Sequence, residues 1–194
     1  MVRTKEEIEK EIIRFLDASS SKKADPSDPR FGTKPGIACA LGTCKDNIPR
    51  VTPIDFYNDG LTLWMTGDPG GKLENIRANP NVSVGIFSPI NRSKENRSVM
   101  LKGKASLVTY REQKELYMEV ITKFGILDSL KQAIRSGLID KQTLFEVPLG
   151  EDFETKLDTL RHRQTVIKVE PEIISLLILP PGGIVERLVW EKES

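Results

Sequence analysis

A glycine-rich turn, TGDPGGK at residues 66–72, carries the groups in this sequence that are best suited to bind a ligand. It follows the apolar run LTLWMT and leads into a short amphipathic helical pattern that Lys72 opens. In such a turn, free backbone N–H groups and the positive end of a helix dipole converge on one point, and the lysine adds a full charge. The turn therefore predicts a site for a phosphate.

Two further residues are expected to join this site. If the strand that begins at Arg50 runs antiparallel to LTLWMT, Arg50 lies near Thr66 and close to the glycine turn. Two cations, a hydroxyl group and backbone amides would then surround one phosphate. The expected result is a charge-assisted grip on the anionic end of a ligand.

The turn does not match the P-loop of nucleotide hydrolases. A P-loop needs four residues between its first glycine and the Gly-Lys-Ser/Thr group, whose hydroxyl holds magnesium. Here three residues separate Gly67 from Gly71, and Leu73 stands where the hydroxyl is required. The sequence therefore disfavours a nucleotide hydrolase.

The other reactive residues form no recognisable catalytic or metal constellation, and no catalytic residue is assigned. His162 is the sole histidine, and we interpret it as a solvated surface residue, with anion binding as the alternative. Cys39 and Cys44 are the sole cysteines and have no histidine cluster beside them to complete a zinc site. We expect free thiols, with a local disulfide as the alternative, and no metal.

Charge and length exclude several functional classes. The 194 residues include 29 Lys and Arg against 28 Asp and Glu, for a formal charge of +1, so no basic footprint indicates nucleic acid or an anionic membrane. No apolar window is long enough to span a bilayer, and the first residues lack the apolar core of a signal peptide. We expect one cytoplasmic domain over 1–194 whose partners are small molecules or a second copy of the chain.

The elements that must position the glycine turn can be predicted from apolar periodicity. Thr4 and Glu7 form a capping box for an N-terminal helix. From Gly36 the apolar period shortens to two, with a turn at 45–47, a strand at 51–57, an Asp-Gly hairpin and the run LTLWMT. A two-turn helix ends at Asn79-Pro80, and strands follow at 82–86 and 98–108. Short connections favour an antiparallel meander that closes into a small barrel.

A largely helical insertion is predicted at about 110–163. It begins with a second capping box, Thr109 with Glu112, and continues in a run at 128–136 that Gly137 ends, with a less regular stretch at 144–154. The pattern then returns to strands in QTVIKVEP, ISLLIL and GIVERLVW, which would complete the sheet.

The order of these segments resembles the FMN-binding split barrel of the pyridoxamine 5′-phosphate oxidase-like superfamily. The similarity is carried by PRVTP, LTLWMTG, GKLENI, NPNVS and KGKA, and it covers residues 36–108. It implies a mainly β fold with α, a six- to eight-stranded antiparallel split β-barrel with an N-terminal helix and a helical insertion. It also implies a homodimer with FMN in the cleft between subunits.

The resemblance assigns roles to particular positions. Lys72 matches the phosphate-binding lysine, and Arg50 matches the basic residue that opens the flavin-binding strand. The remaining positions implied to contact the flavin are Val51, Thr52, Pro53, Ile54, Met65, Thr66, Gly71, Ser98 and Trp190.

The sequence also departs from the true oxidase. Asp55 stands where the oxidase has a lysine, Gly71 replaces an arginine, and the C-terminal Arg-x-His motif is not found. The prediction is thus a related flavin-binding oxidoreductase of unknown substrate. Two alternatives stay open: a non-catalytic module that holds flavin or haem, and a deazaflavin-dependent reductase to which Lys102 and Lys104 would contribute a basic groove.

Overall fold

A computed structural model describes residues 3–23, 33–34, 36–139 and 150–193. Its helices are α1 Lys5–Ser19, α2 Gly71–Ala78, α3 Lys114–Lys123, α4 Ile126–Arg135 and α5 Phe153–Arg163. Its strands are β1 Lys22–Lys23, β2 Thr33–Lys34, β3 Cys39–Lys45, β4 Ile48–Ile54, β5 Tyr57–Asp59, β6 Thr62–Gly67, β7 Asn81–Phe87, β8 Asn96–Thr109, β9 Thr165–Leu179 and β10 Glu186–Glu191.

Eight strands form one antiparallel sheet in the order β4-β3-β7-β8-β9-β6-β5, with β10 added to β9. The long strand β9 makes this arrangement possible, because its first part pairs with β6 and its last part pairs with β10. Within the described chain no ladder joins β4 to β6 or β5, so the sheet is not closed. The gap between β4 on one side and β5 and β6 on the other is the split of the barrel. The fold is therefore the mainly β split barrel that the sequence predicted.

The predicted meander is wrong in its strand order. The predicted strand at 51–57 is divided: β4 ends at Ile54 and pairs with β3, whereas β5 starts at Tyr57 and pairs with β6. Between them, the carbonyl of the fully buried Phe56 accepts a hydrogen bond from the Ser21 N–H at 2.8 Å. The main chain thereby leaves one edge of the split and joins the other, which a local alternation of apolar residues does not reveal.

The main core fills the barrel, and α1 covers one opening. Ile12 and Leu16 of α1 are fully buried in it. The capping box at Thr4 is present, with the Glu7 N–H donating to Thr4 Oγ1 at 3.2 Å and the Thr4 N–H donating to the Glu7 carboxylate at 2.8 Å. Trp190 Nε1 of β10 donates to Glu9 Oε2 of α1 at 2.9 Å. These contacts hold α1 on the last strand.

Helices α3, α4 and α5 lie between β8 and β9 in the chain, where the helical insertion is predicted. The Glu112 N–H donates to Thr109 Oγ1 at 3.2 Å, but α3 begins only at Lys114, so this capping interaction closes a turn rather than the helix. Gly137 has a φ of 66° after α4, consistent with the predicted C-cap. The irregular stretch at 144–154 lies mostly outside the described residues. No described helix is long and apolar enough to cross a membrane.

Candidate functional site

The glycine turn leads directly into α2, as the sequence predicted. Gly70 caps the helix with a φ of 152°, a conformation that residues with a Cβ rarely adopt. The N–H groups of Leu73 and Glu74 return to the Gly70 carbonyl at 2.9 and 3.3 Å. The N–H groups of Gly71 and Lys72, which precede them, have no backbone partner among the described residues, and they carry the positive end of the helix dipole. This end of α2 can therefore accept an anion.

Lys72 folds back over the turn. Its Nζ donates to the Asp68 carbonyl at 3.1 Å. A Cβ at Gly67 would lie 2.8 Å from Lys72 Cε, so Gly67 leaves the space that the lysine stem occupies. The ammonium group is thus held at the start of α2 while two of its three donors remain available.

Arg50 reaches the same point from the other side of the split. A Cβ at Gly71 would lie 2.7 Å from Arg50 Nη1 and 3.2 Å from its Cζ. The guanidinium therefore packs against the first residue of α2, in the space that any side chain at Gly71 would fill. The family resemblance marks Gly71 as the replacement of an arginine, but the absence of a side chain at Gly71 is what leaves room for the guanidinium of Arg50.

The route by which Arg50 arrives differs from the predicted one. Arg50 was expected to approach Thr66 because β4 would pair with β6, but β4 pairs with β3 and β6 pairs with β5 and β9. Arg50 lies opposite Thr43 in the β3–β4 ladder, and its long side chain crosses to α2. The predicted pairing is wrong, although the proximity of Arg50 to the glycine turn is found.

A polar contact that the sequence did not indicate fixes α2 against the sheet. Asn75 Nδ2 donates to Thr43 Oγ1 at 3.1 Å, and Thr43 is buried. Asn75 lies three residues after Lys72, on the same helix face. The spacing from Lys72 was a usable signal for Asn75, whereas nothing local marks Thr43 because its partner is distant in sequence.

The edges of the split supply unpaired backbone groups. β4 pairs with β3 on one side and has no described strand on its other side. The β5 ladder ends opposite Trp64, so from Met65 and Thr66 onward β6 also has a free edge. Thr52 Oγ1 is buried and has no hydrogen-bond partner within the described chain. An exposed strand edge beside an unsatisfied buried hydroxyl is suited to a planar polar ligand.

The other predicted contact residues have different surroundings. Val51 and Pro53 are exposed on the outer face of the sheet, Ile54 packs against the core, and Thr66 is half-buried. The Met65 side chain is fully buried, so only its main chain can meet a ligand.

Ser98 and Trp190 are not brought to Arg50 within one chain. Ser98 lies on β8, where it pairs with Phe87 of β7. β8 is the third strand from β4 in the sheet, a lateral distance of roughly 14 Å at the usual strand spacing. Trp190 lies on β10, where its ring is buried in the core and bonded to α1.

Arg50 also borders a cavity of about 500 Å³. Thr43, Val51, Ser83 and Lys102 contribute to its wall. Lys104, the second lysine of the predicted basic groove, lies 3.5 Å from the Glu172 carboxylate. The cavity volume lies in the range typical of small-molecule sites.

The buried Cys39 thiol is not available as a nucleophile. Burial raises the pKa of the Cys39 thiol to about 12, with a smaller contribution from the charge of Asp55. The thiol therefore stays neutral and unreactive at neutral pH. In the described part of the chain, no group of three His, Cys, Asp or Glu residues could hold a metal ion. The arrangement can bind and orient a phosphate ester at one end and a polar ring edge at the other.

Comparison with known proteins agrees with this arrangement. Residues 35–138, more than half of the chain, match the family model described as pyridoxamine 5′-phosphate oxidase. An uncharacterized protein of Rhizobium meliloti (strain 1021) is 30% identical over 69 residues, which cover 36% of this chain and 45% of that protein. The chain thus matches less than half the length of this relative.

Two solved structures show the same fold. A putative pyridoxamine 5′-phosphate oxidase from Listeria innocua has a TM-score of 0.51 and 22% identity, over 88% of this chain and 98% of that one. A pyridoxamine 5′-phosphate oxidase-related, FMN binding protein from Nostoc punctiforme PCC 73102 has a TM-score of 0.56 and 12% identity, over 87% and 84%. At these identities the structural similarity concerns the fold.

Proposed function

We propose that this chain, which belongs to the pyridoxamine 5′-phosphate oxidase family, binds FMN at the split of its barrel and acts as an oxidoreductase on a small molecule. The observation that carries the proposal is the meeting of Arg50 and Lys72 at the first turn of α2. Two cations from opposite sides of the split and the end of a helix dipole form a phosphate site. FMN ends in such a phosphate, and the solved relative from Nostoc is described as FMN binding.

The chain's residues would each hold a different part of the cofactor. Arg50 and Lys72 would bind the phosphate, and the N–H groups at the start of α2 would complete its hydrogen bonds. The free edges of β4 and β6, with the Thr52 hydroxyl, would meet the polar edge of the ring. FMN supplies the redox chemistry when bound, so the protein contributes placement and electrostatics. This division fits the lack of a catalytic constellation among the described residues.

We also propose that two copies of the chain pack through the outer face of the sheet. Val51 and Met100 are 67% and 61% exposed there, and Phe87 and Val189 are exposed as well. Ladder registers align a row of mostly small or apolar residues across this face: Pro53, Ala40, Gly85, Met100, Ser175 and Val189. Exposed apolar side chains grouped on one face of a sheet are typical of a protein interface. Because Val51 and Pro53 belong to β4, a second copy would lie beside the cofactor strand.

The proposal is tested with the purified full-length protein. Mass spectrometry of the compound released on denaturation should identify FMN, or the colourless protein should take up FMN on reconstitution. The visible absorbance of the bound flavin should then bleach under anaerobic conditions with NADH or NADPH. A protein that takes up deazaflavin or haem but no FMN contradicts the cofactor assignment. Bound FMN that no donor reduces contradicts the oxidoreductase assignment and favours a flavin carrier.

A further inference from the structure

We propose that the chain has a second ligand site, a cavity between α2, the turn after β8 and the end of α5, that binds an organic anion with an apolar body. The cavity has a volume of about 650 Å³, within the range of small-molecule sites. It does not involve Arg50 or Lys72, and the inference does not depend on FMN binding.

The charges around this cavity are mostly positive and come from three separate elements. Arg77 lies in the last turn of α2, Arg111 in the turn after β8, and Arg163 at the end of α5. Glu112 is the one acidic residue in the described wall. Its carboxylate accepts a hydrogen bond from Thr109 Oγ1 at 3.0 Å, which engages it within its own turn. The wall therefore keeps an excess of positive charge.

Two of these arginines are available to a ligand. Within the described residues, neither Arg77 nor Arg111 lies in an ion pair, and both are exposed. A guanidinium presents its donors in a planar fork that suits a carboxylate or phosphate. Unpaired arginines that converge from α2 and from the β8–α3 turn on one cavity are therefore suited to an anionic group.

Aromatic ring contacts fix the rim of the cavity, which is formed by the turn after β8 and the end of α5. The Tyr110 ring meets the His162 ring edge-on at a centroid distance of 4.9 Å, and Arg161 Cζ lies 5.8 Å from the Tyr110 centroid. These contacts join the basic end of α5 to the turn that carries Arg111. Because both sides of the rim are fixed before a ligand arrives, less ordering is required on binding.

The inner wall of the cavity is apolar, so the anionic ligand is expected to carry an apolar body. Leu73 and Ile76 of α2 and Ala105 of β8 contribute to it, and all three are buried members of the main core. A purely inorganic anion would leave this surface uncovered. The preferred ligand is therefore an organic carboxylate or phosphate with an aromatic or aliphatic body.

This cavity is distinct from the candidate cofactor site, although both use α2. Leu73, Ile76 and Arg77 contribute to the cavity, whereas Lys72 and Asn75 face the turn and β3. The two sites therefore use different side chains of α2, although Pro69 of the glycine turn also lines the cavity, and an anion should occupy one without displacing a ligand from the other.

The test measures the affinity of the full chain for phenyl phosphate by isothermal titration calorimetry. Benzyl alcohol serves as the counterpart without a charge, and inorganic phosphate as the counterpart without an apolar group. Each titration is run with and without saturating FMN. With saturating FMN, phenyl phosphate should bind in one saturable site, more tightly than either counterpart. Without FMN, the affinity at this site should be the same, beside any phenyl phosphate bound at Arg50 and Lys72 that FMN displaces. Arg77→Gln and Arg111→Gln should each weaken it by about tenfold or more, as expected for loss of a charge-assisted hydrogen bond. Arg92→Gln, which removes an exposed arginine from the β7–β8 loop, should change it by less than about twofold.

Several results would overturn the inference. These are no saturable binding of phenyl phosphate in the presence of saturating FMN, equal binding of benzyl alcohol under that condition, or affinities unchanged in Arg77→Gln and Arg111→Gln. Thermal melts of each variant separate loss of the site from loss of the fold. Failure of FMN to bind would leave these titrations unaffected, so the two proposals can fail independently.

Discussion

Replacing Gly71 by alanine tests whether the position of Arg50 against the first residue of α2 contributes to FMN binding. An alanine Cβ would lie 2.7 Å from Arg50 Nη1, whereas an ordinary contact needs at least 3.4 Å. The guanidinium must therefore move by about 0.7 Å or turn away. Because it is the far end of a flexible side chain, this movement should cost the fold little. Alanine also favours a helix over glycine by up to about 1 kcal/mol.

The expected effects on stability and on binding are therefore opposite. The free energy of unfolding of Gly71→Ala should stay unchanged or rise slightly. A hydrogen bond to a charged group contributes about 1.5–3 kcal/mol, and displacement of one cation should forfeit about 1–2 kcal/mol of it. The Kd for FMN should rise by about 5- to 30-fold.

The assay is titration of the flavin fluorescence for the wild type, Gly71→Ala, Arg50→Gln and the double variant. Both single changes act through one guanidinium, so their effects should not add. The double variant should bind FMN about as weakly as Arg50→Gln alone. If Gly71→Ala weakens binding by the same factor in the presence and absence of Arg50, the steric explanation is refuted. An unchanged Kd in Gly71→Ala would refute the role of Arg50 itself.

Three other predictions concern the dimer and the fold. Met100→Glu places a charge at the centre of the outer face and should convert a dimer to a monomer, as measured by analytical ultracentrifugation. The control Leu138→Glu, at an exposed site after α4, should leave the dimer intact. If the Met100→Glu protein is still a dimer, this face is excluded as the interface. Trp190→Phe removes the donor to Glu9 and should lower the free energy of unfolding by about 2 kcal/mol in urea titrations; a loss below about 0.5 kcal/mol would show that this bond does not hold α1. Tyr117→Phe should raise stability by about 1 kcal/mol, because the Tyr117 hydroxyl is buried without a hydrogen-bond partner in the described chain; a decrease would indicate that the hydroxyl is satisfied.

Local features of the fold could be predicted because their causes are local. The capping box at Thr4, the end of α2 at Asn79 and the tight turn at Asp46 and Asn47, both with positive φ, follow from residues within a few positions of each other. The order of strands could not be predicted in the same way. Which neighbour β4 selects depends on contacts such as Ser21 to Phe56, which are 35 residues apart.

The candidate site shows the same limit. Lys72 and the helix end were predictable because the glycine turn and the helix are contiguous. The family resemblance marks Gly71 as the loss of a charged side chain. The structure shows that Arg50, from a strand distant in sequence, fills the space that this glycine leaves. Thr43 carried no signal, because its role arises only when Asn75 is placed opposite it.

The central claim is that the first turn of α2, with Arg50 and Lys72, binds the phosphate of a flavin. Its most direct test compares the Kd of FMN with that of riboflavin, which has the same ring and lacks the phosphate. Two charge-assisted contacts worth about 1.5–3 kcal/mol each predict that FMN binds at least about 100-fold more tightly, and that Lys72→Met lowers this ratio by about tenfold or more while Arg50 keeps the remainder. Equal affinities of the wild type for FMN and riboflavin, or a ratio unchanged in Lys72→Met, would contradict the claim.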